Sequence, residues 1–283
     1  MEGRRTVGGL LTRAVRALTF HALLLVIVVV MVTPFYWMVI TALKPTSEAI
    51  SYPPTFLPND LSLGSIVEVL TRVAFPRYTL NTVIFASVAV AGEVVFASLA
   101  AYAFARLNFP GRNAIFFAYL GTLMIPFYVT MIPAFLVVKW LGLVNTFGAL
   151  ILPRLASAFG TFLLRQYFLT IPREIEDAAA IDGCSRVGFL FRILLPLSTP
   201  ALAALSLLLF MQNWNAFLWP LLVANKDEVK VLQLALSDFR NQNYVIINLV
   251  MAGTLLSVLP ILAAFFVAQK KFIEGVVMSG LKG

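Results

Sequence analysis

The chain has 283 residues, 60% of them hydrophobic and only 12% charged, with a net charge of +8. A soluble domain is about 45–50% apolar and about 25% charged, so neither a soluble globular protein nor a disordered chain fits. One cysteine (Cys184) and one histidine (His21) exclude an internal disulfide framework, a Cys-rich or histidine-based metal site and a histidine triad.

A membrane-crossing helix needs about 20 apolar residues. Taken along the chain, six stretches qualify: 17–43, 78–105, 113–138, 148–168, 196–222 and 244–268. The expected fold class is therefore all-α, a polytopic membrane protein with six transmembrane helices. A segment 1–16 precedes the membrane-spanning region 17–268, and a tail 269–283 follows it. The first apolar run is too long for a cleavable signal core, so it is expected to remain as a span. The fourth stretch carries Arg154 and Arg165 near its ends, where long cations can snorkel to the interface. Placing the N-terminus in the cytoplasm puts 13 Lys and Arg inside against 8 outside. The positive-inside rule then sets both termini cytoplasmic, and the basic balance reads as topology rather than as a nucleic-acid footprint.

Between the spans two segments stand out. The first outside segment, 44–77, is proline-rich and is expected to be a structured loop with one short helix near Leu61 to Val73. The cytoplasmic loop 169–195 reads differently. Thr170 is expected to cap a helix, Pro172 to sit in its first turn, and Glu174, Glu176 and Asp177 to suit its positive end. Ala178, Ala179 and Ala180 offer a smooth surface, and Gly183 ends the helix with a left-handed residue. A solvated linker helix is the plain reading. An alanine patch flanked by acids is also a surface that lets another protein approach closely.

The segment EDAAAIDGCSRVGFLFRILLPLSTPAL resembles the EAA loop of binding-protein-dependent ABC importer permeases. Asp177, Ala178, Ala179 and Gly183 fall on that family's pattern, then Ile193, Leu195 and Pro196. The stretches 101–112, 124–146, 214–222 and 279–283 are similar to the carbohydrate-importer branch, and within it to the maltose-type second permease subunit. One departure is visible: relatives carry Glu where Asp177 stands, with Glu176 before it here. The resemblance implies an ABC importer type I permease fold in a bacterial or archaeal cytoplasmic (inner) membrane. It implies a second permease subunit, two cytosolic ABC ATPase subunits and an extracytoplasmic substrate-binding protein as partners, with a sugar as substrate. Glu176, Asp177, Ala178, Ala179, Asp182 and Gly183 would couple the chain to the ATPase. Ser279, Gly280 and Lys282 of the tail would reach between the ATPase subunits.

No phosphate-cradling G-x-x-x-x-G-K-[ST] run occurs in the chain. It is expected to be no enzyme and to hold no cofactor, with ATP and Mg belonging to the partner subunits. Within the membrane, Glu93 is an intramembrane carboxylate, and such groups usually face a cavity or a partner. It either lines the path or is a protonated group bonded to a neighbouring helix. Gln212, Asn213, Trp214 and Asn215 pair amides with an indole, a chemistry suited to a neutral polyhydroxylated ligand. They could equally join helices, and Trp219 could be an interfacial belt residue. Pro126 and Pro133 are expected within the third span, and Pro260 within the sixth. Two alternatives to sugar import stay open: a glycerol-phosphate diester or other polar solute, and an ion-gradient-driven transporter with Glu93 as its ion site.

Overall fold

The computed structural model describes residues 7–72, 74–239 and 246–280. It is helical throughout these residues and falls into two compact units.

The first unit holds residues 1–72 and 239–256. Its main element is helix α1 (Val7–Ala42), followed by α2 (Thr46–Ala49) and α3 (Gly64–Arg72). The short helix expected in this loop is α3. The loop between α2 and α3 is organised around Glu48, whose carboxylate accepts from the Asn59 amide and the Thr55 hydroxyl. Those bonds, the amide first, hold the Glu48 carboxyl below its usual range. Asn248 donates to the hydroxyls of Thr46 and Ser65, tying the start of the last helix to this loop.

The second unit holds residues 73–238 and 257–283. It is built on α4 (Phe75–Arg106), α5 (Arg112–Gly121), α6 (Phe127–Trp140), α7 (Phe147–Ile151), α8 (Ala158–Thr170) and α9 (Arg173–Ile181). Then come α10 (Arg186–Phe189), a π turn at Leu190–Leu194, α11 (Leu195–Leu197), α12 (Thr199–Trp214), α13 (Leu218–Val223) and α14 (Leu232–Ser237). The last helix, α15 (Ile247–Gly280), contributes to both units. Along α4 the residues Phe85, Ala89, Glu93, Ala97, Ala101 and Ala105 recur every fourth position and are all buried. Small side chains on that stripe let neighbouring helices approach closely. Leu164 and Phe168 of α8 and Ala201, Leu205 and Leu209 of α12 pack there, and Ala179 of α9 joins the same core.

Helices α1, α4 and the 247–266 part of α15 are each long and apolar enough to cross a membrane. Three bent pairs would raise the count to six if each pair is one span, by length and composition only. These breaks interrupt three of the apolar stretches. The stretch 113–138 turns by 100° between Met124 and Phe127. Pro126 is the cause: it has no amide hydrogen and pushes Ile125 into an extended conformation, so it ends the helix instead of bending it. The 147–170 pair bends by 44° at residues 155–157, and the 186–214 pair by 81° at Ser198, before Pro200. Pro133 and Pro260 do stay inside their helices. Large apolar side chains of α1, among them Leu23, Val26 and Val30, are exposed, as suits a surface solvated by lipid.

Candidate functional site

Two places carry polar chemistry that the apolar fold does not need for packing. The first is a cavity of about 670 Å³ in the second unit, lined by Glu93, Thr122, Thr130, Arg154, Ser157 and Gln212 with apolar neighbours. It opens where the chain breaks. Thr122 precedes the α5–α6 bend, Arg154 and Ser157 flank the α7–α8 bend, and Gln212 lies in the last turn of α12. Broken helices at membrane depth are tolerated where they border a cavity, because their freed backbone groups need polar surroundings. Glu93 enters from the buried stripe of α4 and is only 6% exposed. Its neighbourhood is less smoothly apolar than the flanking sequence implies. The Ser157 hydroxyl hydrogen-bonds its carboxyl, and the Arg154 guanidinium acts on it through space. Gly92 lies against the same segment: a Cβ there would meet Leu155 Cδ2 at 2.4 Å and displace the end of that side chain.

Arg154 does not simply snorkel outward. Its guanidinium lies over the Phe127 ring, 5.8 Å from the centroid, and faces the cavity. A cation, a carboxylate, three hydroxyls and an amide thus surround one space. That set can both donate to and accept from a hydroxyl-rich solute. Ser157, Thr122 and Thr130 are the cavity residues that spacing alone did not single out. The signal available for them was the proline beside each break.

The other candidate path residues are not brought to this cavity. Trp214 is fully buried; it stacks on Phe210 and donates its indole N–H to the Ser257 carbonyl at 3.1 Å. Asn213 is buried beside it, and Asn215 is exposed and returns its amide to Met211. Trp219 is buried as well and donates to the Ala149 carbonyl, so it is a core residue and no interfacial belt. Replacing Glu93 is expected to cut transport several-fold in Glu93→Leu while assembly is unchanged. Glu93→Gln, which can still accept from Ser157, should lose less. Uptake by reconstituted vesicles checks this, and equal rates in all three proteins would remove Glu93 from the path.

The second place is α9. Its start departs from expectation: Thr170 ends α8, bonding back to the Tyr167 carbonyl, and Pro172 occupies the cap position. Proline's fixed φ favours a helix start at the next residue, which leaves no role for the Thr170 hydroxyl there. The C-terminus matches expectation. Gly183 has φ +79°, the Gly183 amide donates to Ala180, and the Cys184 amide donates to Ala179 at 2.9 Å. This is a Schellman closure.

The adjacent acids Glu176 and Asp177 of α9 are divided between its faces, and Glu174 is exposed. Glu176 turns inward, accepting from the Tyr102 hydroxyl at 3.1 Å and lying 3.7 Å from the Arg106 guanidinium. Arg106 is itself buried and donates to the carbonyls of Phe168 at 2.6 Å and Ile171 at 2.7 Å. One side chain thereby joins the end of α4, the end of α8 and the first turn of α9. Asp177, Ala178 and Asp182 are exposed, whereas Ala179 is buried. Ile181, which spacing did not single out, projects from the same helix with 86% of its surface exposed. Ser279 and Gly280 end α15, and Lys282 lies outside the described residues.

Comparison with known proteins identifies the family. Residues 93–276 match the model of the family described as binding-protein-dependent transport system inner membrane component. The arabinooligosaccharides transport system permease protein of Halalkalibacterium halodurans is 35% identical over 258 residues, 89% of this chain and 91% of that protein. The sn-glycerol-3-phosphate transport system permease protein of Rhizobium meliloti is 34% identical over 275 residues, covering 94% and 97%. The lactose transport system permease protein of Rhizobium radiobacter is 36% identical over 246 residues, covering 87% and 89%. A chain of a bacterial ABC transporter that imports the acidic polysaccharide alginate shares the fold, with TM-score 0.82 over 96% of this chain and 99% of that one, at 24% identity. The chain therefore belongs to the binding-protein-dependent transport system inner membrane components, membrane-embedded permeases and not enzymes.

Proposed function

We propose that this chain is one of two permease subunits of an ATP-driven importer in a bacterial or archaeal cytoplasmic membrane, and that its solute is a sugar or oligosaccharide. An extracytoplasmic binding protein delivers the solute, the 93–154–212 cavity forms part of its path, and α9 docks on a cytosolic ATPase subunit. ATP and Mg belong to those ATPase subunits. The observation that carries the reading is the division of α9: Glu176 anchored inward, with Asp177, Ala178, Asp182 and Ile181 presented outward. An exposed isoleucine beside small residues on a rigidly held helix suits insertion into a partner's cleft. The relatives named for arabinooligosaccharides and lactose support the solute class.

Arg154 favours a second reading, a phosphorylated polyol, because a guanidinium in the cavity can take a phosphate bidentately. The relative named for sn-glycerol-3-phosphate supports it. Uptake of radiolabelled oligosaccharide against radiolabelled glycerol phosphate separates the two.

For the coupling surface, Ile181→Asp is the informative variant. The side chain is exposed, so folding should be unaffected. Co-purification of the ATPase subunits is expected to fall by at least tenfold. Undiminished co-purification would place the ATPase contact elsewhere.

A further inference from the structure

The loop between α1 and α3 has its polarity reversed relative to a loop built for water. Its base is closed by the Ser62 amide donating to the Leu43 carbonyl at 2.8 Å. One charge lies inside, while Glu48 is half-buried and Asp60 is exposed. Lys44 is 2% exposed, donates to the Thr55 carbonyl and stacks over Trp37. The Glu48 carboxylate is spent on the Asn59 amide and the Thr55 hydroxyl. Outside lie the apolar groups. Tyr52 is 95% exposed and Leu61 78%, and Ile50, Phe56 and Leu57 are exposed with them. In water that arrangement forfeits the burial of several large apolar side chains.

The depth of the loop indicates what covers it. The apolar part of α1, Val15–Ala42, has 28 residues. At 1.5 Å per residue it is about 42 Å long, so a helix centred on a hydrocarbon core of about 30 Å extends about 6 Å beyond each side. Tyr36 lies six residues before Ala42, about 9 Å along the axis, at or inside that boundary. Phe56 is fixed at this level: the Tyr36 hydroxyl donates to its carbonyl at 2.6 Å, and its ring meets the Trp37 ring edge-on at 5.9 Å. The exposed side chains of Phe35, Tyr36 and Val39 continue the apolar surface from the helix onto the loop.

We propose that this loop lies in the lipid interface, with Tyr52, Phe56, Leu57 and Leu61 inserted among the headgroups and upper acyl chains. The bilayer is its partner, and the loop clamps the end of α1 at fixed depth. Tyrosine and tryptophan at that level have the amphipathic character that favours this zone. The inference rests on membrane embedding alone and is independent of the solute.

The test uses the whole importer in phosphatidylcholine–phosphatidylglycerol nanodiscs. A Cys184→Ser background carries a nitroxide at Leu57→Cys or Leu61→Cys, with Glu228→Cys, in another exposed loop, as the aqueous control. Only complexes that retain ATP hydrolysis stimulated by the binding protein are read, so a variant that fails to fold is replaced by the other. Collision with oxygen, which concentrates in lipid, is compared with collision with a water-soluble nickel chelate. The oxygen-to-nickel ratio at Leu57 and Leu61 is expected to exceed that at Glu228 several-fold. A ratio equal to that at Glu228 overturns the proposal in favour of solvent. Low collision with both agents overturns it in favour of cover by another subunit or by the binding protein.

Discussion

Arg106→Ala is expected to abolish coupled transport and to weaken assembly with the ATPase at least tenfold. The substitution removes one buried cation from three acceptors: the carbonyls of Phe168 and Ile171 and the Glu176 carboxylate. Hydrogen bonds from a charged donor are worth about 1.5–3 kcal/mol each. Breaking a buried ion pair on one side costs about 3–5 kcal/mol, because the remaining charge is left uncompensated. Glu176 is partly exposed, so water recovers some of that cost and the lower end applies. Arg106→Lys should fall between, since one ammonium nitrogen cannot both replace Nη2 at the two carbonyls and replace Nη1 beside Glu176. Glu176→Gln should be milder still, because the amide oxygen continues to accept from Tyr102. Binding-protein-stimulated ATP hydrolysis by the reconstituted complex, measured beside ATPase co-purification, separates lost coupling from lost assembly. Full activity in Arg106→Ala would mean that α9 is held by packing alone.

Gly183→Pro should release the ATPase for a different reason. Nothing lies within 4 Å of a Cβ placed at Gly183, so bulk is no obstacle. The obstacle is the backbone. Gly183 has φ +79°, whereas proline is confined near −65°. Proline also deletes the amide that donates to Ala180. Strain of about 1–3 kcal/mol and a lost bond of about 1 kcal/mol unravel the last turn of α9, where Asp182 and Ile181 sit. Gly183→Asn is the control, because asparagine tolerates the left-handed region. Near-normal co-purification with Asn and loss with Pro is the expected pattern. Equal retention in both would remove the Schellman closure from the coupling mechanism.

Family membership replaces the gradient-driven reading of Glu93. The chain lies in a family of binding-protein-dependent transport components, and its intramembrane carboxylate shares a polar cavity with Arg154, Ser157 and Gln212. Glu93 is also bonded to a neighbouring segment through Ser157. The two readings of this residue, lining a path and joining helices, are therefore compatible in one geometry.

Local information was enough for the features that depend on a few consecutive residues. Glycine at 183 has to end α9, because only the left-handed region completes the closure. Pro126 was legible as a position without an amide, but so were Pro133 and Pro260, which stay inside their helices, so the residue alone does not decide where the chain breaks. The angles of 100°, 44° and 81° were not legible, since the direction of the chain after a break depends on what the next helix packs against. For the same reason Trp214 and Trp219 were readable as polar-tipped aromatics but not as buried ones; their partners are the distant carbonyls of Ser257 and Ala149.

Composition carries the class by itself. A chain that is 60% hydrophobic and 12% charged has too little polar surface to be a soluble protein, and its apolar runs are long enough to cross a bilayer. The short loop around residues 174–182 also stands out without coordinates, because four acids crowd it in a chain with 13. Which of them holds the fold and which is offered outward was decided only in three dimensions. Glu176 and Asp177 are adjacent and chemically alike, and a step of one residue turns a helix by about 100°. Tyr102 and Arg106, some seventy residues earlier, select Glu176 for the interior and leave Asp177 exposed.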